Sequence, residues 1–295
     1  MTARPLTPAE MYPASHPAIS VTTLALRTGV RVRVASSGPH AAPSVLMLHG
    51  WGASLYTFRH ALELLPRRGF RAIAVDLRGF GLSDHPIEAG AYSLDAYLAD
   101  LDAVIEQLGL DRFTLVGHSM GGGLALQYAL RNAARLNALV LVNPTELVAV
   151  PALYAMRVAP RPIIESLGER ILIPRRLVKL VLEHVAFGDS SRVTERDVDE
   201  YWAPTQLSGY IRAARRTVVE FDWRPISNEQ AASLAVPAMV MLGTKDRLVR
   251  HARPAALRLS DAEIHELAGG HCVHEERPGE VYDLMSTFVE RCASP

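Results

Sequence analysis

Gly117-His118-Ser119-Met120-Gly121 is the stretch whose residue types are best suited to chemistry. A serine between glycines, after a short apolar run and before a helical one, can be forced into a strained strand-to-helix turn that presents its hydroxyl. Gly122 and Gly123 add clearance. The N-terminus of the following helix favours negative charge developing beside it. Such a hydroxyl suits attack on a carbonyl. The plainer reading, a Gly-rich turn with an incidental serine, is disfavoured by the strand-like run before it and the helical run after it.

A serine nucleophile needs a base. The chain has 11 histidines, most of them expected to be surface or core residues. His271, in Gly269-Gly270-His271, stands apart because it follows the last strand-like run near the C-terminus. His274, three residues on, reads as structural. The base in turn needs a carboxylate to hold its tautomer and stabilise the imidazolium. Asp246 follows the apolar run 238–242 and is favoured, because Ser, Asp, His is the chain order expected of a serine on such a turn. Glu146, in Asn143-Pro144-Thr145-Glu146, is the competitor. A tetrahedral oxyanion needs donors. The backbone N–H of Met120 is one. The loop His49-Gly50-Trp51-Gly52 should supply the other through the main chain of Trp51 rather than its indole.

The elements that must position these groups alternate. The runs 21–26 and 30–35 read as a hairpin, and 44–48, 71–75, 113–116, 138–142, 238–242 and 262–267 as short buried strands. Helical runs lie between them at 56–68, 94–108 and 120–132, and 278–291 closes the chain. Such alternation predicts a mostly parallel sheet with helices on both faces. The strand pattern stops within 145–232, where helical stretches at 151–158, 174–187, 194–202 and 207–221 suggest an insertion. Thr194 before Asp197 resembles a capping box. The organisation expected is a loose arm over 1–17, a core over 18–144 and 233–295, and a helical insertion over 145–232.

Composition narrows the function classes. Of 295 residues 49% are apolar, enough for a large core. Lys and Arg total 31, and Asp and Glu total 31, which gives no electrostatic reason to expect nucleic acid. The basic pairs Arg175-Arg176 and Arg215-Arg216 read as solvated helix faces. Two cysteines exclude a disulfide scaffold and favour a reducing, cytoplasmic compartment. No run is long and apolar enough to span a bilayer, and no signal-peptide pattern opens the chain. No metal-ligand spacing, phosphate loop or cofactor motif is present, so no cofactor is expected. A small-molecule substrate is the expected partner, and homo-oligomerisation stays open.

HGWG at His49, DLRGFGLSD at Asp76, GHSMGG at Gly117, GTKD at Gly243 and GGHCVHEERP at Gly269 together resemble the α/β-hydrolase superfamily, in its capped serine-hydrolase branch. These pieces span both halves of the predicted core. The resemblance implies an α/β fold with an eight-stranded, mostly parallel sheet and a helical cap inserted after the sixth strand. It also implies that Asp76, Arg78 and Asp84 brace loops rather than catalyse. Epoxide hydrolases and dehalogenases of this superfamily carry aspartate where Ser119 stands, which disfavours both. C–C bond hydrolases often carry Asn before the serine and Trp after the histidine, where this chain has His118 and Cys272. The expectation is an esterase for small or medium apolar acyl groups, working through an acyl-enzyme. C–C cleavage, lactonase or amidase activity, and a ligand-binding receptor that keeps the fold are the alternatives.

Overall fold

The structure is a computed structural model and describes residues 4–151, 156–157 and 173–293. Eight strands form one sheet: Ser20–Ala25 (β1), Arg31–Ser37 (β2), Ser44–Leu48 (β3), Arg71–Val75 (β4), Phe113–His118 (β5), Leu136–Val142 (β6), Ala238–Gly243 (β7) and Glu263–Leu267 (β8). Their order is β1-β2-β4-β3-β5-β6-β7-β8. β1 with β2 and β2 with β4 pair antiparallel, and every other neighbouring pair is parallel. The fold is therefore α/β with a mostly parallel sheet, as the alternation predicts.

The apolar strands have a simple cause. Successive side chains alternate between faces. In β3, Leu46 and Leu48 enter one core layer while Val45 and Met47 enter the other. Both layers are roofed by helices, so no polar side is needed. Leu94–Gln107 (α2) and Met120–Asn132 (α3) cover the first layer. Arg59–Leu64 (α1) and the C-terminal helix Pro278–Ala293 cover the second. Ser93 caps α2 by accepting from the N–H of Ala96. The run 56–68 is not one helix. It is a 3₁₀ turn at Leu55–Phe58, then α1, then a second 3₁₀ turn at Pro66–Arg68, because Pro66 has no N–H to continue the ladder.

Between β6 and β7 the described chain is helical: Arg175–Val181 (α4), Glu195–Trp202 (α5), Tyr210–Glu220 (α6) and Asn228–Ala232 (α7). The run 174–187 changes to a π turn at Leu182–Ala186. The run 207–221 starts only at Tyr210, after Gly209 at φ 83°. Thr194 and Asp197 make both halves of the capping box. The helix expected over 151–158 falls largely outside the described residues. Two short helices, Arg253–Ala256 (α8) and Val273–Glu276 (α9), precede the C-terminal one, α10. Among the described residues no helix is long and apolar enough to cross a membrane.

The arm expected to be loose is docked at Met11 and Tyr12. Met11 is only 2% exposed. The Tyr12 N–H donates to the Glu200 carboxylate on α5 at 2.7 Å, and the Arg33 guanidinium donates to the Tyr12 carbonyl at 3.2 Å. One buried methionine and a few main-chain bonds leave no periodic trace, so composition alone misled.

Asp76, after β4, is the main polar brace of the core. It is fully buried and accepts from Arg33 Nε at 2.6 Å, from the Leu55 N–H at 2.7 Å and from the Leu82 N–H at 2.8 Å. Its carboxylate thus joins β2, the segment after the 49–52 loop and the 77–84 loop. Asp76→Asn leaves the buried Arg33 uncompensated, so the expected loss is about 3–5 kcal/mol of folding stability. Urea unfolding would measure it, and a loss under about 1 kcal/mol would mean that the pair is not the brace.

Candidate active site

Strand order locates the site before any side chain is considered. The chain crosses from β3 to β4 on one side and runs from β5 to β6 on the other, so β3 and β5 form a switch point at their carboxyl ends. A crevice opens there in parallel sheets. The loop after β3 carries His49 to Gly52, and the turn after β5 carries Ser119. Ser119 has φ 53° and ψ −118°, a strained conformation for a residue with a side chain. The turn is so close that a Cβ on Gly117 would run into the Gly121 carbonyl, and one on Gly121 into that of Leu48.

His271 and Asp246 come together as the order of motifs suggests. His271 Nδ1 lies 2.8 Å from Asp246 Oδ2, and both side chains are buried. With Asp246 ionised, Nδ1–H donates and the Nε2 lone pair is the one able to accept a proton. The other oxygen, Asp246 Oδ1, accepts from the N–H groups of Leu248 at 2.7 Å and Val249 at 2.9 Å. Burial pushes the Asp246 carboxyl up, but the His271 imidazole and these N–H groups outweigh it and hold the carboxyl below its usual value.

The backbone of His271 is pinned as firmly as its ring. Its carbonyl accepts from Asn143 Nδ2 at 2.8 Å and from His118 Nε2–H at 2.9 Å. Glu276 gathers the N–H groups of Gly270 at 2.6 Å and of Gly188 and Asp189 at 3.0 Å each. Asn143 and Glu276 are positioning residues that motif reading missed. Their only trace was a polar residue ending a core strand and an acid after the glycine-histidine turn. The ring of His274 lies 4.5 Å from that of His118, and its Nε2 donates to Thr57 Oγ1 at 2.8 Å. Burial holds both rings neutral, with His118 pushed down to about 3 and His274 well below its ordinary value.

Glu146 goes elsewhere. Its carboxyl packs over Gly123, accepts the Thr145 hydroxyl at 2.7 Å and bonds no histidine among the described residues. Burial raises it to about 8 against the pull of that hydroxyl.

The loop after β3 is oriented through its peptide plane. His49 Nδ1–H donates to the Gly50 carbonyl at 2.7 Å, and the Ala53 N–H also reaches that carbonyl, at 3.2 Å. A trans peptide points C=O and N–H in opposite directions. Holding the Gly50 carbonyl therefore turns the Trp51 N–H the other way. Gly50 sits so near the elbow that a Cβ there would lie 2.9 Å from that of Ser119. The N–H of Met120, first in α3, has no acceptor within its own helix.

Ser119, His271, Gly50 and Trp51 line one cavity of about 550 Å³. Its other walls are mostly apolar side chains of the helical segment, including Leu182, Ile211, Val218 and Trp223. Arg215 also lines it, and Arg216 donates to the Ile87 and Glu88 carbonyls, so this basic pair is not the solvated face that its sequence suggests. Among the described residues no group of three His, Cys, Asp or Glu side chains is set to hold a metal ion.

Comparison with known proteins bears on most of the chain. The family model described as alpha/beta hydrolase fold matches residues 43–278. Epoxide hydrolase 3 of Xenopus tropicalis is 27% identical over 89% of this chain and 76% of its own. An AB hydrolase superfamily protein of Bacillus subtilis is 28% identical over 84% of this chain and 92% of its own. The solved structure of potato (Solanum tuberosum) epoxide hydrolase I superposes with a TM-score of 0.74 at 22% identity, covering 92% of this chain and 99% of that one.

The state of Glu146 can be tested through stability. Between its ordinary value and about 8 the folded chain holds a proton that the unfolded chain has lost. The stability from that proton is complete below the unfolded value and is lost as pH rises towards about 8, at about 1.4 kcal/mol per pH unit. Glu146→Gln mimics the protonated acid without the titration. Urea midpoints from pH 5 to 8.5 should show the wild type losing ground to the variant as pH rises. Parallel curves would mean an ionised Glu146.

Proposed function

The chain belongs to the α/β-hydrolase-fold family, and on that footing we propose that it is a serine hydrolase that cleaves carboxylic esters through an acyl-enzyme. The observation that carries this reading is the His271–Asp246 hydrogen bond on the wall of the cavity that Ser119 enters from a strained turn. Ser119 Oγ attacks the ester carbonyl while His271 Nε2 takes its proton. The N–H groups of Trp51 and Met120 receive the oxyanion. His271 then gives the proton to the departing alkoxide. Water, activated by the same imidazole, releases the acid and restores Ser119.

Three features separate this reading from its rivals. An epoxide opened by a serine would leave an alkyl ether on Ser119, with no carbonyl for water to attack. A relative named as an epoxide hydrolase therefore lends its fold rather than its reaction. A C–C hydrolase must tautomerise a dienol held by polar groups, whereas the walls here are mostly apolar. A receptor would need neither an oriented imidazole nor an aimed peptide N–H. Lactones and amides share the same first step, and a substrate series over chain length, lactone and amide separates them. We take residues 145–232 as the cover that selects apolar acyl groups, with a cavity in the range that holds a small-molecule ligand. Both cysteines are free, which suits a cytoplasmic setting.

Three variants test the assignment. Ser119→Ala should lose turnover of p-nitrophenyl esters on the order of a million-fold while remaining folded, and should lose labelling by a fluorophosphonate. Retention of a tenth of the wild-type rate would remove Ser119 from the role. Asp246→Asn should lower kcat on the order of ten thousand-fold by disturbing the imidazole tautomer. Glu146→Gln should cost far less, and the opposite ranking would transfer the acid's role to Glu146.

A further inference from the structure

The indole of Trp51 is engaged in a way that the acyl-transfer reading does not require. Nε1–H donates to the carbonyl of Ala214, in the middle of α6, at 2.8 Å. From the same helix, the Tyr210 hydroxyl reaches the Gly52 carbonyl at 3.4 Å. The two contacts fasten the side chain of residue 51 and the carbonyl of residue 52 to α6. Tyr210, Ile211, Ala214 and Val218 recur at helical spacing and all line the cavity, so this is the substrate-facing side of α6.

The other side of α6 is fastened to the core. Thr217 Oγ1 bonds the Tyr97 hydroxyl at 3.0 Å, which also bonds the Arg78 carbonyl at 3.2 Å. The Tyr92 N–H donates to Glu220 at 2.9 Å. A continuous path of hydrogen bonds therefore runs from the loop after β4, through α6, to the indole. His49 holds the preceding carbonyl from below.

We propose that Trp51 is a positioning residue: its indole ties the loop that carries the oxyanion donor to the helix that walls the substrate cavity, so the aim of the donor depends on the seating of that helix as well as on the His49 clamp. The backbone donor at position 51 would exist with any residue other than proline. Phenylalanine would fill much of the same space but could not reach the Ala214 carbonyl with a donor. The proposal rests on the hydrolase reading above and adds to it a link between covering the substrate and stabilising the oxyanion.

The test is Trp51→Phe, with Tyr210→Phe as a second variant, assayed on a medium-chain p-nitrophenyl ester. The expected result for Trp51→Phe is a fall in kcat of about ten- to a hundredfold, because a misaimed oxyanion donor loses part of the hundred- to thousandfold that a deleted one costs. KM should move less than threefold, and the midpoint of the pH–kcat profile should stay in place, since the His271–Asp246 pair is untouched. Tyr210→Phe should lower kcat less, and the double variant should be non-additive. The indole N–H of Trp51 in the wild-type protein should exchange slowly with deuterium. A wild-type kcat in Trp51→Phe, or a change confined to KM, overturns the proposal and leaves the hydrolase reading intact. So does an indole N–H that exchanges like a free one. Absence of turnover and of Ser119 labelling in the wild type overturns the hydrolase reading and this proposal together.

Discussion

Ser119 is held at φ 53° and ψ −118°, a conformation that costs about 1–3 kcal/mol for a residue with a side chain. It persists because everything around it is fixed. Its N–H donates to the Val142 carbonyl at 3.0 Å, continuing the β5–β6 ladder beyond its end. Its carbonyl accepts from the Gly123 N–H at 3.1 Å, starting α3, and from the Thr145 N–H at 3.3 Å. The turn is therefore bonded to the strand beside it, the helix after it and the loop beyond β6. Gly117 and Gly121 are consequences of this constraint, since either Cβ would collide with a main-chain carbonyl. So is the placing of the cavity, because the hydroxyl can only emerge where β3 and β5 part.

A strained turn would relax if its surroundings could yield. Behind it lies a buried polar network instead of a deformable apolar packing. Thr57 donates to Glu275 at 2.7 Å, Tyr201 donates to the same oxygen at 2.6 Å, and Arg59 pairs with both Glu275 and Asp197. Tyr56 donates to Asp197 at 2.8 Å. These bonds link the segment after the 49–52 loop, the helix α5 and the short helix α9 that follows His271. Such a network demands that every member be satisfied, and in return permits few alternative arrangements. The geometry around Ser119 and His271 is thus set by directional bonds in the core and in the helices between β6 and β7 alike.

The motifs that were legible are those where local chain geometry leaves a composition signature. The elbow needs small residues at fixed offsets, the buried strands need unbroken apolar runs, and the Thr194–Asp197 cap needs its two residues three apart. The cap rests on contacts between residues close in the chain, and the elbow glycines and apolar strands, although they answer to distant partners such as the Leu48 carbonyl, leave their mark within a few consecutive residues. What stayed hidden depends on partners far apart in sequence. Asn143 and Glu276 bridge to the His271 loop and to Gly188. The docking of Met11 and Tyr12 depends on Glu200 and Arg33. Position 51 could be assigned a backbone donor from its loop, yet the indole's acceptor lies 163 residues away. Periodicity also ran too smoothly through 56–68 and 174–187, where a proline and a π turn divide what hydrophobic spacing joins.

The electrostatics around Ser119 follow from burial more than from pairing. His118 and His274 stand beside His271, and each would repel an imidazolium if it were charged. Burial keeps both neutral. Glu146 lies against the first turn of α3, where a carboxylate would oppose a developing oxyanion. Burial holds its proton up to about pH 8. Asp246 alone among these groups is shifted towards its charged form, by the imidazole and two N–H groups that face it. Near neutral pH the charge nearest the imidazole is therefore a single carboxylate on its Nδ1 side. A proton arriving at Nε2 would be favoured by that charge, and under the proposed acyl transfer the oxyanion would meet peptide dipoles without a competing anion. In a mostly apolar cavity these few interactions are little screened by water, so the scarcity of charge strengthens those that remain.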